Sequence, residues 1–308
     1  MHRFAKAGVV VTMGAALAVG IPGIRERIRE RGALLVSKLL GSSKQPWDEV
    51  AVQMAPYGWR KRVRTMLGHW DEWTRHLNYP LQLDSQKMRM YQIYRGATPN
   101  LGSLNCHYTV LAEGQTPHPL HVHDDEEIIV PLVSSVDILR AAAADLTATS
   151  EERIDFGRFV YHASRLPHTI RAVGPGPSAY LVLRWSASAV EGAPDGAIPA
   201  QTFDFGRAAA SEPLATQGMI KTQIFEGPTR LLRRLHVHVT FARPGEGSHP
   251  HQDAHDVAVI VLDGTVETTS GRVEAPGIIF HPAGRTHFVR SVGAQPARYA
   301  AIEFLQRN

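Results

Sequence analysis

From about residue 80 the chain alternates short branched and aromatic runs with Gly and Pro. EEIIVPLV, RFVYH and AYLVLRW come first, then HVHVTF, VAVIVL, GIIFH and RYAAIEF. Runs this short and this regularly interrupted predict strands, and many such strands predict a sandwich or barrel. Upstream the period changes. Ile24, Ile28, Leu35 and Leu39 recur at near-helical spacing, so residues 25–75 read as helices. Residues 186–215 are rich in Ala, Gly and Pro and read as a connector.

The N-terminal segment is the least decided part. Ala7 to Ile24 is 18 residues without a charge, the lower edge of a membrane-spanning length. Arg3 and Lys6 precede it, and Arg25, Arg27, Arg29 and Arg31 follow. Three readings stay open: a membrane-associated segment, a cleaved secretory signal with a weak site at Ala16-Leu17-Ala18, and an ordinary helix weakened by Gly8, Gly14, Gly20 and Pro22. The basic cluster after the apolar run opposes translocation, so the expected location is cytoplasmic, with attachment to the inner face of a membrane as an option. Tyr57, Trp59, Trp70 and Trp73 beside Arg60, Lys61 and Arg62 suit a membrane interface or a solvated basic face equally well.

A repeat then sets the architecture. YHASRLPHTIRAVGPGPSAY (161–180) aligns with FHPAGRTHFVRSVGAQPARY (280–299) at an offset of 119. His162 matches His281, His168 matches His287 and Arg171 matches Arg290. The earlier halves correspond too, AEGQTPHPLHVH with RPGEGSHPHQDAH. The chain therefore reads as a tandem duplication of one β module. The predicted layout is a helical extension over 1–75, a first barrel over 76–188, a linker over 189–215 and a second barrel over 216–308.

Charge adds one point. The formal net charge is +4, but residues 1–64 carry 12 Lys and Arg against 4 acids, or +8, which leaves −4 for the rest. A basic N-terminus on a slightly acidic body points to a membrane surface or a larger complex as its partner. Nucleic acid is the lesser reading and is not expected. One cysteine, Cys106, excludes an intrachain disulfide framework. The sequence has no phosphate-binding Gly loop, no GxSxG nucleophile elbow and no CxxC pair.

The chemistry concentrates in HPLHVHDDEEIIVPL, residues 118–132. In a strand, residues i and i+2 share a face. His121 and His123 therefore point together, and Glu127 points with them. His168 follows 45 residues after His123. Three imidazoles and a carboxylate suit Fe, Mn, Ni, Cu or Zn without naming one. His118, Asp124 and Asp125 read as rim residues, with His118 also a candidate to support a ligand.

HVHDDEE followed by a distant histidine resembles the cupin family, whose motifs are HxHxxxE and PxGxxH. PAGRTH (282–287) matches the second motif in full. Two modules make the chain look like a bicupin, over about residues 100–308. The resemblance implies an all-β protein of two double-stranded β-helix (jelly-roll) barrels behind the α-helical N-terminal extension. It also implies a divalent ion held by His121, His123, Glu127 and His168, and a homodimer. Two departures bear on the turns: Ala163-Ser164-Arg165 replaces the PxG turn, and Ser134 stands where a glycine is expected.

The second module admits two registers. His249 and His251 as the HxH pair would put His255 at the glutamate position, completed by His287. Counting back from Gly264 instead gives His251 and Asp253 as the pair and Val257 at the glutamate position. The latter needs no insertion and is preferred. Asp256 enters only if the strand bulges. His236 and His238 alternate with apolar neighbours and read as cross-strand polar residues. The expected function is a metal-dependent oxidoreductase of dioxygenase type on a small organic substrate, with Glu126 or Asp125 at the mouth for protons. The alternative is a non-catalytic metal- or ligand-binding cupin tethered by its basic N-terminus.

Overall fold

The computed structural model describes residues 72–142, 145–188, 200–205 and 218–306. Of the stretch 25–75 read as helices, residues 72–75 are described and are not helical, since Trp73–His76 is a strand; the rest of the extension, the apolar segment 7–24 included, lies outside the described residues. Within those residues the fold is all-β. The strands are β1 (Trp73–His76), β2 (Met88–Gly96), β3 (Ser103–Leu111), β4 (Glu126–Val133), β5 (Ser135–Ala142), β6 (Asp145–Ile154), β7 (Arg158–His162), β8 (His168–Val173), β9 (Ser178–Ser186) and β10 (Gln201–Asp204). The second half adds β11 (Met219–Gly227), β12 (Arg234–Ala242), β13 (His251–Gln252), β14 (Asp256–Asp263), β15 (Thr265–Thr268), β16 (Gly271–Glu274), β17 (Gly277–His281), β18 (Thr286–His287), β19 (Arg290–Ser291) and β20 (Ala297–Leu305).

Each barrel pairs one large sheet with smaller ones. In barrel 1 the six-stranded order β10-β7-β4-β9-β3-β2 is set against β6-β5-β8. In barrel 2 the order β1-β17-β14-β20-β12-β11 is set against β16-β15-β19 and β13-β18. The duplication read from the sequence is thus carried strand by strand.

The edge strands are exchanged. β1 precedes barrel 1 in the chain but pairs with β17 of barrel 2, Trp73 opposite Phe280. β10 lies inside the segment read as a linker but pairs with β7 of barrel 1, Gln201 opposite Tyr161. Each barrel's sheet is therefore completed by a strand from outside its own module. Trp73, read above with a basic aromatic surface, stacks between Tyr94 (5.4 Å) and Phe280 (5.3 Å).

Alternation explains why the central strands read as unbroken apolar runs. Along β4, Ile128, Val130 and Leu132 enter one cluster while Ile129 enters another. Along β14, Ala258, Ile260 and Leu262 face the first cluster and Val257, Val259 and Val261 face the lumen of barrel 2. The first cluster draws from both large sheets, so the two barrels share one core between their outer faces. Strands buried on both faces lose the polar alternation of a half-exposed sheet.

Two buried carboxylates pin that shared face. Glu126 is fully buried and accepts hydrogen bonds from Trp185 Nε1 (3.2 Å), Thr229 Oγ1 (2.7 Å) and Leu231 N (3.1 Å). Asp256, also fully buried, accepts from Thr98 Oγ1 (2.5 Å), Asn100 N (3.1 Å) and Ala283 N (2.9 Å). Each acid is thus held by the other module's turn. This corrects two readings. Glu126 is not a mouth acid available for protons, and Asp256 does not turn toward the lumen.

Candidate metal centre

His121 and His123 lie ahead of β4, in the segment that enters it, and Glu127 lies within β4. The Nε2 and Oε atoms needed for a metal come from three places: the segment entering β4, β4 itself and β8. His121 forms an isolated antiparallel bridge with His168 at the start of β8, with paired backbone bonds of 3.3 and 3.2 Å. One ligating nitrogen each of His121, His123 and His168 lies within 4.8 Å of the others. Glu127, His162 and His168 form a second, overlapping group.

The tautomers are set by the backbone. His121 Nδ1 lies 3.2 Å from His168 O, His123 Nδ1 2.9 Å from Asp125 O, and His168 Nδ1 2.8 Å from Leu166 O. Each Nδ1–H donates outward to a carbonyl and leaves Nε2 facing its neighbours. That is the arrangement by which a protein orients imidazole ligands. His123 Nε2 is buried without a hydrogen-bond partner. Buried polar atoms are ordinarily paired, so this one points to a missing occupant.

Glu127 anchors the group. Its Oε1 lies 2.6 Å from His168 Nε2 and 3.0 Å from His162 Nδ1, and its Oε2 lies 3.7 Å from His123 Nε2. Burial pushes the carboxyl upward, but hydrogen bonds from His162 and His168 outweigh it and hold Glu127 well below its usual range. Burial, with the neighbouring imidazoles, lowers His121 to about 4. Burial lowers His162 to about 4 against the pull of Glu127. His168 goes the other way: burial lowers it, but its hydrogen bond to Glu127 raises it above the usual imidazole range, so a cation at the site would displace that proton. Neutral imidazoles and an ionised carboxylate are the forms that bind a divalent cation. The donor chemistry and the orphaned His123 Nε2 both fit such an ion.

His162 was visible in the sequence only as a repeat match. It stacks on His168 at 4.1 Å and donates to Glu127. His118 packs edge-on against His121 at 3.9 Å and stays at the rim. Asp124 is exposed and pairs with Arg165. Asp125 faces Arg184, Nε to Oδ2 3.3 Å. The two turn departures keep their shape: Arg165 (φ 66°) and Ser134 (φ 58°) adopt the left-handed conformation of their counterparts Gly284 (φ 74°) and Gly264 (φ 75°).

In barrel 2 the register without insertion is the one formed. Val257 pairs with His281 as Glu127 pairs with His162. His251, Asp253 and His287 come together. Asp253 Oδ2 lies 3.3 Å from His287 Nε2 and 3.7 Å from His251 Nε2. The four-histidine set does not assemble: His249 is exposed and offers only its carbonyl to His251, while His255 turns to Glu303 at 3.1 Å. A carboxylate does return to the vacated position, from outside the module. Glu72 Oε2 lies 2.7 Å from His281 Nδ1 and accepts from Thr269 Oγ1, while its Oε1 accepts from Ser270 N. Burial pushes Glu72 up, but His281 and the two hydroxyl-bearing neighbours bring it down to about 2. At 209 residues from its partner, Glu72 carried no signal in the motif.

An open groove of about 780 Å³ along Arg158, Phe203, Asp204 and Gln223 contains none of these histidines. Among the described residues, no helix is long and apolar enough to cross a membrane.

No model of a known protein family matches the sequence, and no curated protein does. Solved structures match the fold. A Pseudomonas aeruginosa protein whose name describes it as glyoxylate-induced aligns over 72% of this chain and 82% of its own, at 14% identity and a TM-score of 0.56. A cupin 2 conserved barrel domain protein from Leptotrichia buccalis aligns over 75% and 95%, at 14% identity and 0.52. Protein Ylba from E. coli aligns over 78% and 93%, at 10% identity and 0.55. Identities this low speak for the fold alone. With two jelly-roll barrels in tandem, the histidine–glutamate group at the entry to β4 and these neighbours, the chain is a cupin-fold protein of the bicupin type.

Proposed function

We propose that barrel 1 is the working centre of a metal-dependent oxidoreductase, of dioxygenase type, on a small organic anion. The observation that carries this reading is the meeting of His121, His123 and His168 beside Glu127, which lies 2.6 Å from His168 Nε2, with His123 Nε2 buried and unpaired. His121, His123, His168 and Glu127 are the residues that would hold the ion. A divalent ion bound there supplies Lewis acidity and, if redox-active, a place for O2.

The chain's own groups supply the rest. His162 holds Glu127 in place through its Nδ1–H. Arg184 sits at the lumen position beside Asp125 and offers a cation to a carboxylate-bearing substrate. Asp125 Oδ2 is placed there to take or give a proton, the role that Glu126 is too deeply buried to fill. Ile129, Val160, Tyr180 and Val182 line the lumen beneath and keep water from the reacting groups.

The test is O2 uptake by the metal-loaded full chain against a panel of small organic acids. The reading predicts uptake with at least one acid, abolished in His123→Ala and weakened mainly in KM by Arg184→Met. Bound metal with no turnover of any acid supports the tethered, non-catalytic alternative, for which the basic residues of 1–64 are the motivation.

A further inference from the structure

We propose that barrel 2 carries a divalent-cation site of its own, in a place barrel 1 does not use: between His236 and His238 of β12 and Glu303 of β20, with His255 as a fourth arm. One ligating atom from each of His236, His238 and Glu303 lies within 4.8 Å of the other two. These side chains alternate with Leu235 and Val237, which face the shared core, so they project into the lumen of barrel 2.

The cluster has the construction of a ligand set. His236 Nδ1 lies 2.6 Å from Glu226 Oε2, which fixes the ring and turns Nε2 inward. That Nε2 lies 3.2 Å from His238 Nδ1. His238 Nδ1 lies 3.5 Å from Glu303 Oε1. His255 Nε2 is buried and sits 3.1 Å from Glu303 Oε2, yet makes no hydrogen bond of acceptable geometry. Lys221 Nζ lies 3.9 Å from Glu303 Oε1, but its side chain is 54% exposed and free to turn to solvent.

The internal duplication provides the control. His236 pairs with Glu303 as Asn105 pairs with Arg184 in barrel 1, and Glu226 pairs with His236 as Arg95 pairs with Asn105. His238 corresponds to His107, and His255 to Asp125. Two arginines in barrel 1 have thus become two glutamates in barrel 2, and Asn105 and Asp125 have become histidines. The pair Arg184–Asp125 at 3.3 Å becomes Glu303–His255 at 3.1 Å. One lumen position repels a cation in barrel 1, and in barrel 2 it offers a carboxylate among three imidazoles. Three imidazoles and one carboxylate select a borderline divalent ion of the Co²⁺, Ni²⁺, Cu²⁺ or Zn²⁺ kind.

The experiment is a titration of the chelator-stripped full chain with Co²⁺ alone, read by visible absorption, in the His121→Ala/His123→Ala double variant so that barrel 1 is silent. One equivalent should bind. Glu303→Gln and His238→Asn should each weaken that binding by at least about tenfold, while His287→Gln should leave it unchanged. No binding in the double variant, or loss in His287→Gln with survival in Glu303→Gln, overturns the proposal. If the variants do not fold, anomalous scattering from zinc-soaked wild-type crystals decides. A peak between His236, His238 and Glu303 supports the site, and peaks confined to the other clusters overturn it.

Discussion

At the scale of single residues, the spacing HxHxxxE was legible because a strand repeats every two residues, so His121, His123 and Glu127 were expected to share a face. Glu72 was not legible, because nothing local ties it to His281. His162 was legible only as a repeat position; its role appears once β7 is laid beside β4. Removing it should loosen Glu127 without deleting a ligand. His162→Ala is expected to lower metal affinity by about 10- to 100-fold, measured by competition with a chelator. The turn before His168 makes a second prediction. Arg165 sits at φ 66° where its counterpart is glycine, and its ion pair with Asp124 is largely exposed. A side chain in that conformation costs about 1–2 kcal/mol, partly offset by the greater chain entropy of glycine. Arg165→Gly should therefore raise stability by roughly 0.5–1 kcal/mol, read from urea denaturation; a loss of stability would mean that the exposed pair outweighs the backbone.

At the scale of elements, the strand content of both modules could be read from branched runs and Gly/Pro punctuation, but the exchange of β1 and β10 could not. Both are four-residue edge strands, too short for a periodic signal, and each lies in a segment whose composition suggested something else. Their pairing is decided by which neighbouring edge is open. A truncation follows from this. Deleting residues 1–77 removes β1, Leu77 and Glu72 together and should lower the melting temperature by several degrees relative to deleting residues 1–71, which keeps all three. The clamps give a sharper test. Thr229 Oγ1 donates to buried Glu126 and accepts from Leu232 N. Thr229→Ala leaves part of that carboxylate unpaired and should cost about 1–3 kcal/mol; a change near zero would remove the clamp from the account.

At the scale of the whole molecule, the duplication was written in the sequence, while the way the copies join was not. The apolar residues on the outer faces of both large sheets form one cluster, so each barrel alone would expose what the other covers. The two halves should accordingly unfold in a single transition rather than two. The halves nevertheless differ in their lumens, with Arg184 and Glu127 in one and Glu303 and Val257 in the other. The central claim is that barrel 1 is built around a divalent ion. The most direct measurement is elemental analysis of the purified full chain beside His123→Ala and His287→Ala. The account predicts bound metal in the wild type, one equivalent lost in His123→Ala and none lost in His287→Ala. A wild-type protein that takes up no divalent metal after reconstitution, or a His123→Ala variant that keeps all of it, would contradict the account.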